Sequence, residues 1–356
     1  MTMKKAISIA CTTALAALSG GVQAQVSGGV VKIGVLTDLS GTYSDVAGPG
    51  AVQATKMAIE DFIAKEKPDF KIEMVSADHQ NKADIASNKA REWFEREGVD
   101  TATELVTTSV ALAVMKIAKE KDRIALMSGP ASTPITNEQC NDVTVHYTYD
   151  TYALANGTAK AVTKQGGKSW FFLTADYAFG QALEKDASAV VTANGGKVLG
   201  SVRHPFPGSD FSSFLLKAQS SGAQVIGLAN AGADTTNAIK QAAEFGITPT
   251  QSLAGLLMFI TDVHSLGLKA TQGMYLTDGF YWDLNDETRA WSKRFFGVQK
   301  KMPTMVQAGQ YSSVYHYLKA VKAVGTDDTK KVMAQMKKTP INDFFAKNGQ
   351  IREDGR

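Results

Sequence analysis

The chain has 356 residues with 38 basic against 35 acidic side chains, a formal charge of +3, and 44% hydrophobic residues. Near-neutrality without a dense Lys/Arg run or basic stripe argues against nucleic acid as a partner. The length exceeds what one hydrophobic core usually holds, so two domains are expected.

Lys4 and Lys5, the short apolar run 6–17 and the small-residue site Val22-Gln23-Ala24 read as a secretory signal peptide over 1–24. The mature chain then starts at Gln25 and works in the periplasm. The apolar run falls short of the roughly 20 residues a membrane anchor needs, Cys11 lies inside it rather than after it, and no later stretch is apolar enough to span a bilayer. Removing the leader leaves 36 basic against 35 acidic residues, and Cys140 as the one cysteine. Cys140 cannot form an internal disulfide, and in NEQCND it reads as a buried or unreactive thiol rather than a nucleophile.

A strand is predicted over 30–36, where apolar residues run without polar alternation, as in parallel strands covered on both faces. The Gly-rich loop 38–50 follows, with Pro49 and Gly50 opening a helix that carries Ala51, Ala54, Ala58, Ile59 and Phe62 on one face. Strand, loop and helix make half a βαβ unit, and ligands of open α/β sheets bind at the loop end. A second strand covers Phe70, Ile72 and Met74, followed by a helix over 82–97 burying Ile85, Ala86, Ala90, Trp93 and Phe94. Strand 103–106, a helix from Thr107-Thr108-Ser109, strand 123–128, the turn-rich 129–134 and strand 143–148 complete a first series. After the Tyr-rich 147–152 the pattern restarts: helix 153–165, strand 170–174, helix 179–194, strand 197–202, helix 211–221, strand 225–229, helix 235–245 and the apolar 252–259. A strand at 273–277, helices at 287–296, 312–324 and 329–337, and a strand over 350–352 entering an Asp354-Gly355 turn end the chain, a pattern suggesting a C-terminal truncation. Strands alternating with helices throughout give an α/β fold of doubly wound parallel sheets.

Catalytic fingerprints are scarce. The sequence has no GxSxG, P-loop, GxGxxG, HExxH or CxxC, and its five histidines are scattered without metal-ligand spacing. No enzyme activity, cofactor or metal is therefore assigned. Asp38 and Asp45 read as turn and cap residues more readily than as an acid–base pair. Thr108 and Ser109 stand at a helix N-terminus, where hydroxyls and free N–H groups either hold a carboxylate or cap the helix. Ser128–Ser132 is either a second set of donors or a plain turn. Tyr43, Tyr149, Tyr177, Phe179 and Phe280, all on the carboxyl side of strands, together favour a pocket wall.

KIGVLTDLSG, AGPGAVQATKMAIEDF, TTSVALAV, SGPAS, ADYAFG and the late NDFFAKNGQIREDGR resemble the periplasmic solute-binding proteins of ABC importers, in the branched-chain amino acid-binding (LIV-binding-protein-like) family. The resemblance covers essentially the mature chain. It implies a type I periplasmic binding fold, with two Rossmann-like lobes joined by a three-segment hinge that closes on a ligand. Lobe 1 would hold 30–146 and 278–330, and lobe 2 would hold 147–277 and 331–356. The implied partners are a small-molecule carboxylate and the permease subunits of an importer, with the chain acting as a monomer. Carried over by position, the carboxylate site matches Thr108, Ser109, Ala131 and Ser132; Phe179 matches the pocket aromatic, with Tyr177 close by. Tyr43, Tyr149 and Asn230 complete the cleft wall. Where amino-acid-binding members place a Glu for the ligand ammonium stands Leu256, and where they place a tyrosine stand Ala231 and Gly232. Asp234 or Asp278 would have to replace that acid, since a buried ammonium without a counter-charge costs several kcal/mol. The ligand is thus an amino acid-like carboxylate or, favoured by these departures, an aromatic or branched acid without an amine. The alternative is a sensing module of the same fold coupled to a signalling partner. A secreted α/β enzyme lacks both a cofactor fingerprint and a nucleophile with its base.

Overall fold

The computed structural model describes residues 25–248 and 250–356, so the leader expected over 1–24 lies outside the described residues. The first sheet contains β1 (Val30–Thr37), β2 (Lys71–Asp78), β3 (Thr101–Glu104), β4 (Ile124–Met127) and β5 (Thr144–His146), in the order β2-β1-β3-β4-β5. The second contains β6 (Ser169–Ala175), β7 (Lys197–His204), β8 (Val225–Ala229) and β9 (Ser252–Gly255), in the order β7-β6-β8-β9. Every ladder is parallel. In each sheet the order reverses beside the first strand, at β1/β3 and at β6/β8. Loops leaving in opposite directions open a crevice there.

Burial follows from that layering. The inner strands β3, β4 and β8 are buried throughout, whereas edge strand β2 keeps exposed positions. Helix Gly48–Glu66 buries Ala51, Ala54, Ala58 and Phe62 against helix Met305–Val324, which is buried on nearly all sides. One face of the first sheet packs on Trp93, Val110 and Met115, and one face of the second packs on Phe211, Leu215 and Ile239. The remaining apolar cluster runs from the first sheet across the cleft into the second. Among the described residues the chain crosses between lobes twice, near Tyr147–Asp150 and near 277–280, where Thr277 and Thr158 hydroxyls meet at 2.8 Å.

Several expectations are corrected. The third strand lies at Thr101–Glu104 rather than 103–106, because Glu104 and Leu105 turn the chain with φ of +80° and +59°. Residues 273–277 form no strand: they find no ladder partner beyond β9, and Tyr275 and Leu276 face solvent. Residues 350–352 form none either, although Gly355 N–H closes the expected turn onto Arg352 C=O at 3.0 Å. The late helix begins at Met305, capped by Thr304, rather than at 312. Residues 331–356, expected in the second lobe, lie with the first. Val332, Met333 and Met336 pack toward helix Met305–Val324, and His146 N–H donates to Gly355 C=O at 2.8 Å. Cys140, expected as a buried or unreactive thiol, is exposed.

Candidate ligand site between the lobes

The site grows from the loop after β1. Asp38 is fully buried and accepts from Gly41 N–H (2.7 Å), Tyr43 N–H (2.8 Å) and Asn81 Nδ2 (2.6 Å). Asn81 Oδ1 in turn accepts from the Thr107 hydroxyl, so the loops after β1, β2 and β3 are tied into one rim. This network aims Tyr43 across the cleft, where its hydroxyl meets that of Tyr177 at 2.6 Å. Phe206 stacks on both rings, with centroids 5.4 Å from Tyr43 and 4.4 Å from Tyr177.

Val46, Val106, Gly129 and Ala131 complete the first-lobe wall, Tyr149 comes from the crossing segment after β5, and Phe179, Ala231, Leu257 and Phe259 stand opposite. Each follows the carboxyl end of a strand. Tyr149 donates its hydroxyl to Gly129 C=O at 2.7 Å and meets Phe259 edge-on at 6.5 Å. Burial raises the Tyr43, Tyr149 and Tyr177 phenols well above their ordinary range, so all three remain protonated donors. The walls approach so closely that about 10 Å³ remains for water-sized molecules, roughly the room of one water. A larger guest requires the wall side chains, the Tyr43–Tyr177 pair among them, to move apart.

Of the residues singled out in the sequence, Tyr43, Ala131, Tyr149, Tyr177 and Phe179 line this cavity. Thr108 and Ser132 sit beside Ala131, both buried, their hydroxyls 2.9 Å apart. Thr108 opens helix Thr108–Glu120, whose N-cap Thr107 makes no side-chain cap bond, and Ser132 reaches it from the loop after β4. Ser109 is half-buried on that first turn and does not line the cavity. Asn230 is buried and engaged elsewhere, pairing with His204 Nε2 (3.1 Å) and accepting from the Thr235 hydroxyl (2.6 Å). Leu256 is buried in the core, while its neighbour Leu257, in the bend after β9, lines the cavity. Phe280 packs on Trp291 and Phe344 instead of the cavity. Asp278 lies outside the lining at an exposed rim position, its carboxylate accepting from Phe280 N–H at 3.1 Å. Surrounding protein raises its pKa, a rise that solvent there moderates.

The family model for periplasmic binding proteins matches residues 30–356. The chain belongs to this family. It is 58% identical to a periplasmic binding protein from Burkholderia mallei, over 92% of this chain and 87% of that one, with a TM-score of 0.90. A branched chain amino acid ABC transporter periplasmic ligand-binding protein from Burkholderia xenovorans is 41% identical over 92% of this chain and 87% of its own, with a TM-score of 0.78. A Leu/Ile/Val-binding protein homolog from Brucella abortus is 28% identical over 202 residues, 55% of this chain. The chain spans about half (49%) of the length of that curated relative.

In this periplasmic binding protein two buried acids near the cleft, Asp234 and Glu104, do not line it. Asp234 does not cap its helix; it accepts from Gly208 N–H at 3.1 Å, and burial pushes its pKa up to about 7. Glu104 is wholly buried behind Val106 and Gly129, accepts from Val106 N–H at 3.1 Å, and is pushed up to about 8. Val46, Val106, Gly129, Leu257 and Phe259 read as ordinary core residues in the sequence. Phe206, after β7, carried no strand-end signal distinct from its neighbours. Among the described residues, no three His, Cys, Asp or Glu side chains gather into a metal-holding group. No described helix is long and apolar enough to cross a membrane.

Proposed function

We propose that this protein is the periplasmic receptor of an ABC importer, binding a small apolar carboxylate without an α-amine between its lobes and delivering it to the permease as a monomer. The observation that carries the ligand class is the cavity wall, which is apolar and phenolic and includes no charged side chain. An ammonium there would be desolvated without a counter-charge. A carboxylate has a better place: the uncapped start of helix Thr108–Glu120, with the Thr108 and Ser132 hydroxyls beside it. The ring faces of Tyr149, Phe179 and Phe259 suit an aromatic or branched acid. Because the ligand touches both lobes, it binds the closed state better and shifts the hinge equilibrium toward closure. The permease then reads the paired lobe surfaces.

An α-amino acid is the second reading, favoured by Asp278 at the rim and by the name of the 41%-identical relative. A thermal-shift screen separates the two, because a ligand stabilises the native state by mass action. Benzoates and branched keto acids should raise the melting temperature, and leucine, isoleucine and valine should not. Tight leucine binding that Asp278→Asn abolishes would establish the second reading and sink the first.

A further inference from the structure

The Tyr43–Tyr177 contact joins two residues that both line the cavity but belong to different lobes. Two phenols carry two donor hydrogens and several acceptor lone pairs. One mutual hydrogen bond uses one of each, and the accepting hydroxyl still has its proton to give. Both rings are fixed from behind by Phe206, so the hydroxyls cannot swing to distant partners. Tyr149, the remaining phenol of the wall, is committed to Gly129 C=O. A ring held in the closed cleft parts the Tyr43 and Tyr177 hydroxyls. A C–H edge there leaves both unmatched in an apolar enclosure, whereas a hydroxyl restores both bonds, accepting from one tyrosine and donating to the other.

The sheet sets where that group stands. Tyr43 follows β1, Ser132 follows β4, and β3 lies between them. Two strand spacings, about 10 Å, separate the strands that carry these loops, so the loops holding Tyr43 and Ser132 are not neighbours at the cleft. We infer that Tyr43 and Tyr177 form a two-sided clamp selecting ring-hydroxylated aromatic carboxylates, with the hydroxyl opposite the carboxylate. This inference rests on the reading of the site as one for carboxylates without an amine.

Calorimetry with 4-hydroxybenzoate, 4-methylbenzoate and benzoate tests it, the methyl compound matching the hydroxyl compound in shape. Wild type should prefer 4-hydroxybenzoate over 4-methylbenzoate by roughly tenfold or more, as sites built around a ligand hydroxyl do. Tyr43→Phe and Tyr177→Phe keep the stacking on Phe206 and should each reduce that preference to within about threefold. Equal affinities in wild type, or a preference that survives both substitutions, overturns the clamp while leaving the carboxylate reading intact. Failure of all three acids to bind while leucine binds overturns the carboxylate reading, and the clamp with it.

Discussion

The backbone N–H of Ala233 donates across the cleft to the carbonyl of Thr42 at 3.2 Å. Thr42 thereby supplies, from the first lobe, an acceptor for the start of helix Ala233–Glu244 in the second. Gly232 makes the approach possible. Its φ is +60°, and a Cβ there would lie 2.5 Å from Thr42 O and 3.0 Å from Tyr43 Cδ1.

Gly232→Ala therefore wedges the lobes at the point where they close. The affinity of whichever acid the screen identifies should fall about tenfold or more, through loss of the closed state rather than loss of a ligand contact. Small-angle scattering should show a larger radius of gyration for the ligand-bound variant than for ligand-bound wild type. Unchanged affinity and unchanged dimensions would mean that the Thr42–Ala233 contact plays no part in closure.

Asp38 positions Tyr43 without lining the cavity. Its buried carboxylate satisfies three donors, two from the loop backbone and one from Asn81. Asp38→Ala leaves those donors unmet, which should destabilise the protein by about 2–4 kcal/mol and release the loop that aims Tyr43. Urea unfolding and calorimetry on the same variant should both move. A stability loss with full ligand affinity would show that the rim holds its shape by other contacts.

The strand–helix alternation and the apolar face of helix Gly48–Glu66 were legible in the sequence because both rest on periodic burial. The rim was legible for a similar reason: polar and aromatic residues following strands converge when the strands are parallel. Residues 273–277 failed because alternation reports an extended chain, whereas a strand also needs a neighbour to pair with. Val106, Gly129 and Leu257 were hidden because a pocket wall of small and aliphatic residues has the same composition as a core. Asp234 and Asn230 do not line the cavity, because the partners that engage them, Gly208 and His204, arrive from the end of β7 and the loop after it. No spacing within their own segment encodes that.

Glu104 offers a test of the wall behind the cavity. Burial lifts its pKa from the ordinary 4.5 to about 8. An acid that holds its proton more tightly folded than unfolded adds stability below pH 4.5, and that contribution drains away as pH climbs toward 8. Asp234, lifted to about 7, acts in the same sense. His79 and His146, both lowered to about 4 by burial, act in the opposite sense, removing stability as pH falls from 6.5. Wild-type stability should therefore peak in mildly acidic solution. Glu104→Gln keeps the acceptor for Val106 N–H but cannot ionise. Relative to wild type it should gain stability steadily from pH 5 to 8, by on the order of a few kcal/mol, read from urea unfolding at each pH. Parallel curves for the two proteins would show that Glu104 is ionised at neutral pH and that the wall tolerates its charge.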